Sequence, residues 1–368
     1  MGLLLLMAAI VIYLNKLILD AKYASLPNVP CSFSDLCKKE LGPAAGVIMY
    51  ISICIANIGS CAVYLVTLSD LMFSLSSTLS KTSYMIILAG GEIFLAWLPS
   101  LEYLSWTSVV GNCCLLATFT SVIVFGFETT VVHSPSMYPA FKWDTFPESF
   151  ATIVFLFIQP STMFPIANEM EEPKDFTFAC TIAYCIVTVV DFAFAAVTFL
   201  MFGESTQSII LDNLCPGDCS GFFPILGHTA LIISIFFTYP YVMVAATDVI
   251  EASLITPAMP GDVRRKDINQ ASTMTIRFLC NVVACVAAIF IPNLGDLLSI
   301  TSGIALTYNG FVMGPVLYLN RRYKEIEYRT NWFYFNAFLH IALLLFGVSL
   351  GGWTTYLAIK DVVDEFSR

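Results

Sequence analysis

Along most of this chain, polar residues are too sparse to outline either an amphipathic helix or an alternating strand. Apolar runs of about 20 residues follow one another instead, separated by short polar breaks. That is the length an α-helix needs to cross a hydrocarbon core. The runs fall near 2–20, 43–74, 84–98, 104–127, 150–168, 176–202, 222–246, 273–291, 297–319 and 332–359. Backbone groups facing lipid must bond within their own segment, and these runs are too long and too uniformly apolar for barrel strands. The expected fold class is an all-α multi-pass membrane bundle of about ten transmembrane helices, with no room for a separate soluble domain.

Composition agrees with that reading. The chain is 58% hydrophobic and 12% charged, with a mean hydropathy of +0.80, which excludes an ordinary soluble domain. Basic residues then set the orientation, because cytosolic loops carry the positive excess. Lys22, Lys38, Lys39, Lys174, Arg264, Arg265, Lys266, Arg321, Arg322, Lys324 and Arg329 all fall in loops on one side, while the opposite loops hold only Lys81 and Lys142. The first span therefore ends in the cytosol, and residue 1 lies outside. The N-terminal MGLLLL has neither the charged n-region of a signal peptide nor the Ser or Thr that myristoylation needs at Leu6. The net charge of −10 comes mostly from acids in non-cytosolic loops and near the ends, so no nucleic-acid partner is expected; the surroundings are membrane lipid.

Twelve cysteines are too scattered for a disulfide framework, and most lie within spans as small apolar filler. Cys215-Pro-Gly-Asp-Cys219, in a non-cytosolic loop, is the exception: its Pro-Gly turn brings two sulfurs within reach of a disulfide. No metal is expected, since His133, His228 and His340 are far apart in sequence and form no ligand pattern.

Loop lengths suggest a repeat. The first and sixth spans are each followed by a long loop carrying a short amphipathic stretch, SFSDLCKKEL and ESTQSIILDNL, on opposite faces of the membrane. Two copies of one unit inserted upside down relative to each other produce that arrangement. The expected division is a first, incomplete repeat over 1–127, a second over 148–319 and an extra helix over 332–359. The second copy opens with a broken span whose counterpart in the first would precede residue 1. The outside N-terminus points the same way, to one helix absent from the chain.

That broken span carries the candidate chemistry. In FLFIQPSTMFPIANEM, Gln159, Pro160, Ser161, Thr162 and then Pro165 interrupt a run of membrane-helix character. An unwound segment at the midplane offers N–H donors to a carboxylate and C=O acceptors to an ammonium group, which suits an amino acid. The alternative is a proline kink patched by hydroxyls. Gln159, Ser161 and Thr162 are the substrate candidates. Tyr50, Cys54, Asn57, Cys61 and Tyr64 share one face of the second span, where Asn57 and Tyr64 line a substrate path or form part of a packing stripe. Asp191 and Glu92, inside apolar runs, are a proton relay or buried neutral acids; Asp191 is the coupling candidate. Ser234 and Thr238 sit one turn apart in the seventh span, where a hydroxyl also bonds readily to its own helix. A membrane enzyme would want a histidine cluster, nucleophile motif or acid pair in one loop, and none is present.

These pieces resemble the amino acid/auxin permease family: Phe155, Phe157 and Pro165, then Asn168-Glu169-Met170 and Glu172-Pro173-Lys174-Asp175-Phe176. Leu41-Gly42-Pro43, Cys61-Ala-Val-Tyr64, Phe202-Gly203, Thr238-Tyr239-Pro240, Ile291-Pro292 and Gly295-Asp296 match in the same order over nearly the whole chain. The resemblance implies the amino-acid/polyamine transporter fold, an inverted-repeat (LeuT-like) bundle with one broken helix, and an ion-coupled secondary transporter of amino acids working by alternating access. It implies proton or sodium as coupling ion, with no other cofactor and with Ser234 and Thr238 near the ion. It also implies a plasma-membrane or vacuolar/lysosomal location. Pro160-Ser161 stands where the family usually has Gly, a departure at the point of closest backbone approach. A transporter-like nutrient sensor and an inactive truncated transporter are the competing readings.

Overall fold

The structure, a computed structural model, describes residues 2–26, 29–97, 101–129, 142–143, 145–215, 219, 221–255, 270–325 and 331–367; for 101–106, 169, 252–255, 270 and 325 it describes the backbone alone. Thirteen α-helices run through the described residues, which contain no strand. In chain order they are α1 (Gly2–Ser25), α2 (Phe33–Leu41), α3 (Pro43–Leu75), α4 (Lys81–Ala96), α5 (Leu101–Thr129), α6 (Phe146–Phe157) and α7 (Pro160–Glu169). There follow α8 (Phe176–Phe202), α9 (Phe222–Ile255), α10 (Gln270–Phe290), α11 (Leu294–Thr301), α12 (Met313–Glu325) and α13 (Asn331–Phe366). Nine helical segments among the described residues are long and apolar enough to cross a membrane. α4 is apolar too but has 16 residues, a rise of about 24 Å. It accounts for the difference between nine and the ten runs read from sequence.

Local chemistry explains the boundaries. Ser32 caps α2 through a reciprocal box: its Oγ accepts from the Asp35 N–H at 3.2 Å, and the Ser32 N–H donates to Asp35 Oδ2 at 3.0 Å. Gly42 then turns the chain at φ +101°, and Pro43 opens α3 at its first position, where no N–H is needed. This is what Leu-Gly-Pro does: α2 folds flat onto α3, so closely that a Cβ on Gly46 would lie 2.6 Å from Lys38 Cβ. The matching stretch after α8 is not a helix but two 3-10 turns, Gly203–Ser205 and Ile210–Leu214. Asn213 accounts for the difference from α2. Its side chain accepts from the Gln207 N–H at 2.8 Å and donates to the Ser205 carbonyl at 2.7 Å, drawing both away from a helical ladder.

The helices pack in clusters that place the broken span centrally. α3, α4, α9 and α10 share one core around Cys61, Met85, Tyr239 and Ala284; α1 and α6 share a second with Leu306 and Phe311. Phe155 packs against both. A third cluster, Ile18, Phe33, Leu36, Ile53, Phe164 and Leu317, closes the end where α2 lies.

Candidate functional site

α6 ends at Phe157 and α7 begins at Pro160, so the span is interrupted at Ile158 and Gln159, with Gln159 at φ −133°, ψ 52°. The break is single: α7 runs on through Pro165, as the kink reading of that proline has it, without a second interruption. Pro160 occupies the first helical position, where its missing N–H removes no bond. Two carbonyls at the break find donors. Tyr184 donates to the Phe157 carbonyl at 3.0 Å, and Thr162 gives the Gln159 carbonyl both its N–H at 3.2 Å and its hydroxyl at 2.9 Å.

Three side-chain amides around this point keep unused capacity. Ser161 donates to Asn57 Oδ1 at 3.2 Å, joining α7 to α3, while Asn57 Nδ2 is buried without a partner. Gln159 Oε1 is likewise buried and unbonded. On the opposite flank, a Cβ on Gly310 would meet Ile158 Cγ2 at 2.8 Å, so the 308–312 segment lies directly against the break. Its neighbour Asn309 accepts from Ser52 Oγ at 2.6 Å and leaves Nδ2 unpartnered. That segment and the one before it, Ser302–Leu306, are π-helical, a form concentrated at functional sites. Two amide donors and one amide acceptor thus surround a helix break inside the bundle. Such a set suits a ligand carrying both a carboxylate and an ammonium group.

Of the sequence candidates, the structure gathers Gln159, Ser161, Thr162 and Asn57 here. Tyr64 packs edge-on against Phe155 at 6.4 Å, two turns along α3 from Asn57. The coupling candidates lie elsewhere. Thr238 is exposed and donates to the Ser234 carbonyl at 2.8 Å, and Ser234 faces Gly111 of α5. Asp191 is half-buried on α8, its Oδ2 without a partner and with no bond to the break. Cys215 and Cys219 form a disulfide. His228, expected to be remote, lies with Nδ1 4.0 Å from Cys215 Sγ, because α9 begins at Phe222 and its first turns return beneath the loop. Cys215, Cys219 and His228 form one metal-capable group, although the disulfide holds both sulfurs.

Sequence reasoning missed Asn309 and Lys22. Asn309 had a signal, as a lone amide in the apolar run ALTYNGFV. Lys22 was read as a marker of orientation, yet it is 3% exposed and donates to Asn168 Oδ1 at 2.9 Å, and Asn168 donates in turn to the Cys31 carbonyl at 3.1 Å. Its ammonium also lies 5.4 Å from the Phe164 ring, which stacks on Phe33 at 5.1 Å. These contacts fasten the end of α7 to α1 and α2.

Residues 1–360 match the family described as Transmembrane amino acid transporter protein. The chain belongs to that family. Among curated relatives, this transporter-family chain is 23% identical over 349 residues to amino acid transporter AVT3B of Arabidopsis thaliana, covering 91% of this chain and 79% of that protein. It is 22% identical to the vesicular inhibitory amino acid transporter of Xenopus tropicalis, over 92% of this chain and 68% of the relative. Sodium-coupled neutral amino acid transporter 7 of Danio rerio is 22% identical over 93% of this chain and 77% of its own length. A solved Na+-coupled sialic acid symporter superposes with a TM-score of 0.51 at 13% identity, over 95% of this chain and 86% of that one. That likeness establishes the fold: a multi-pass, LeuT-like transporter bundle in the membrane.

Proposed function

We propose that this chain carries an amino acid across the membrane by alternating access about the Ile158–Gln159 break, coupled to an ion. Gln159, Ser161, Thr162, Asn57 and Asn309 meet the substrate backbone, and Tyr64 with Phe155 borders its side chain. The observation that carries the reading is the set of unfilled amide groups, Gln159 Oε1, Asn57 Nδ2 and Asn309 Nδ2, around a break within the bundle. Buried polar atoms without partners are unfavourable, and a bound zwitterion relieves several at once. The two repeats are α1 to α5 and α6 to α12, with α13 outside them. A vesicular and a sodium-coupled transporter are among the relatives; a plasma-membrane location and proton coupling are the alternatives.

The test is uptake of labelled amino acids into proteoliposomes holding the purified full chain. Gln159→Ala with Thr162→Ala, still folded and inserted, is expected to lose uptake by roughly tenfold or more, as removal of bonds worth about 1–3 kcal/mol requires. Undiminished uptake refutes the site. Amino acid binding by the wild type without uptake would instead identify a sensor.

A further inference from the structure

Outside the break, the bundle buries one acid that the substrate site does not use. Glu92, one turn before the end of α4, is 0% exposed, and neither carboxyl oxygen has a hydrogen-bond partner. The groups facing it from each helix packed on α4 are known. The Cys61 thiol of α3 and Tyr239 of α9, itself fully buried with an unbonded hydroxyl, face it; Cys280 and Cys285 of α10 lie beside Tyr239, and Glu251 of α9 pairs with Arg277 of α10 nearer the end of α4. The only cation among these is engaged elsewhere. Arg277 donates through Nη1 to the Ala96 carbonyl at 2.7 Å, and its Nε lies 3.8 Å from Glu251 Oε1. Ala96 follows Glu92 by one turn, about 6 Å along the helix. An ionised carboxylate with no hydrogen bond and no exposed surface is far costlier than the neutral acid, so Glu92 holds a proton in this arrangement of helices.

We propose that Glu92 is the site of the coupling proton, which deepens the transport reading above and rests on it. The carboxylate takes one proton from water on the non-cytosolic side. As the neutral acid it is buried among α3, α9 and α10, and it returns that proton to cytosolic water in the opposite access state. The neighbouring Arg277 supplies the switch. A shift of α4 by one turn against α10 brings the carboxyl to the guanidinium, which then favours the ionised form and drives the proton off. Small residues of α4 face its neighbours: Ala89 and Ala96 lie in the shared core, and a Cβ on Gly91 would touch Phe236 of α9 at 3.4 Å. The carried ion is then a proton, with one titrating carboxyl per cycle.

Proteoliposomes holding the full chain test this in two modes: amino acid counterflow with no ion gradient, and accumulation driven by a pH gradient. Glu92→Gln keeps the shape and neutrality of the buried acid but cannot release a proton. It is expected to keep counterflow within about twofold of wild type and to lose at least tenfold of the gradient-driven accumulation. Wild-type-like accumulation in Glu92→Gln, with counterflow intact, overturns the assignment to Glu92 alone. Accumulation in the wild type driven by sodium and indifferent to pH overturns the proton as coupling ion. Absence of counterflow in the wild type overturns the transport reading itself. Should Glu92→Gln not fold, the wild type serves with dicyclohexylcarbodiimide, a lipid-soluble reagent that adds a protonated carboxyl across its C=N bond. Adduct formation at Glu92, located by mass spectrometry and accompanied by loss of gradient-driven uptake, supports the proposal. A Glu92 left unmodified during turnover overturns it.

Discussion

The contacts around Lys22 make a quantitative prediction about how α7 is held against α1 and α2. Lys22→Met preserves length and packing but removes the donor to Asn168 Oδ1 and the cation beside Phe164. A hydrogen bond from a charged group is worth about 1.5–3 kcal/mol, and losing it leaves Asn168 Oδ1 without its donor. That shifts the equilibrium toward separation of α7 from α1 and α2 by roughly 10- to 150-fold. Cys31 reports the shift. It is 7% exposed in the closed arrangement, and burial pushes its thiol up from 9.0 to about 11. A raised value means less thiolate, so at pH 8 the buried thiol holds roughly 100-fold less reactive anion than an ordinary one. The sign makes the test decisive. The Lys22 charge lowers the Cys31 value, so deleting it from a structure that stayed closed would slow alkylation. Opening exposes the thiol, returns it toward its ordinary value and speeds the reaction. Maleimide labelling of the purified chain in nanodiscs, located by mass spectrometry, is expected to rise about tenfold or more at Cys31 in Lys22→Met. Labelling that is unchanged or slower refutes the latch.

Two further outcomes follow from particular contacts. Gly310→Ala places a Cβ 2.8 Å from Cγ2 of the fully buried Ile158, so the break must shift; overpacking of this kind costs about 1–3 kcal/mol, read as a lower Tm in detergent together with weaker amino acid binding. An unchanged Tm and affinity would show that the 308–312 segment does not hold the break in place. Cys219→Ser opens a disulfide of sequence separation 4, worth roughly 2 kcal/mol in chain entropy. Reduction of the wild type should lower Tm to the variant's value, and a Tm insensitive to both would show that the bridge contributes nothing.

The helices were legible because the physics that fixes them is local. Length and apolar composition decide whether a segment spans, and Ser32-x-x-Asp35 with Gly42-Pro43 punctuates α2 and α3 through caps and dihedrals that short sequence windows contain. The break was legible for the same reason, at Gln159-Pro160, while Pro165 left both a break and a kink open: one proline in an apolar run does not say whether neighbouring helices will hold the turn together. The site's other half was not legible. Asn309 stands out in sequence as a lone amide in an apolar run, but its place beside the break comes from the contact of Gly310 with Ile158, and Lys22 matters because α7 returns to it across 146 residues. His228 reaches Cys215 through the direction in which α9 leaves its loop, which no spacing rule states.

Asp191 and Glu92 read alike in sequence, as acids in apolar runs, and only packing separates them. Asp191 lies on α8, a helix whose membrane-length window is 22% buried, and it remains half-exposed with no tie to the break. Glu92 is enclosed by the helices that flank the break's own partner, α3. That helix carries Ser52 against Asn309, Asn57 against Ser161 and Cys61 in the core around Glu92. The three positions span ten residues, a rise of about 14 Å along one rod. A substrate that draws Asn57 and Asn309 together at the break therefore acts on the same rod that walls off Glu92. Asp191 on α8 makes no bond to that rod, which is why the proposed coupling is assigned to the acid on α4.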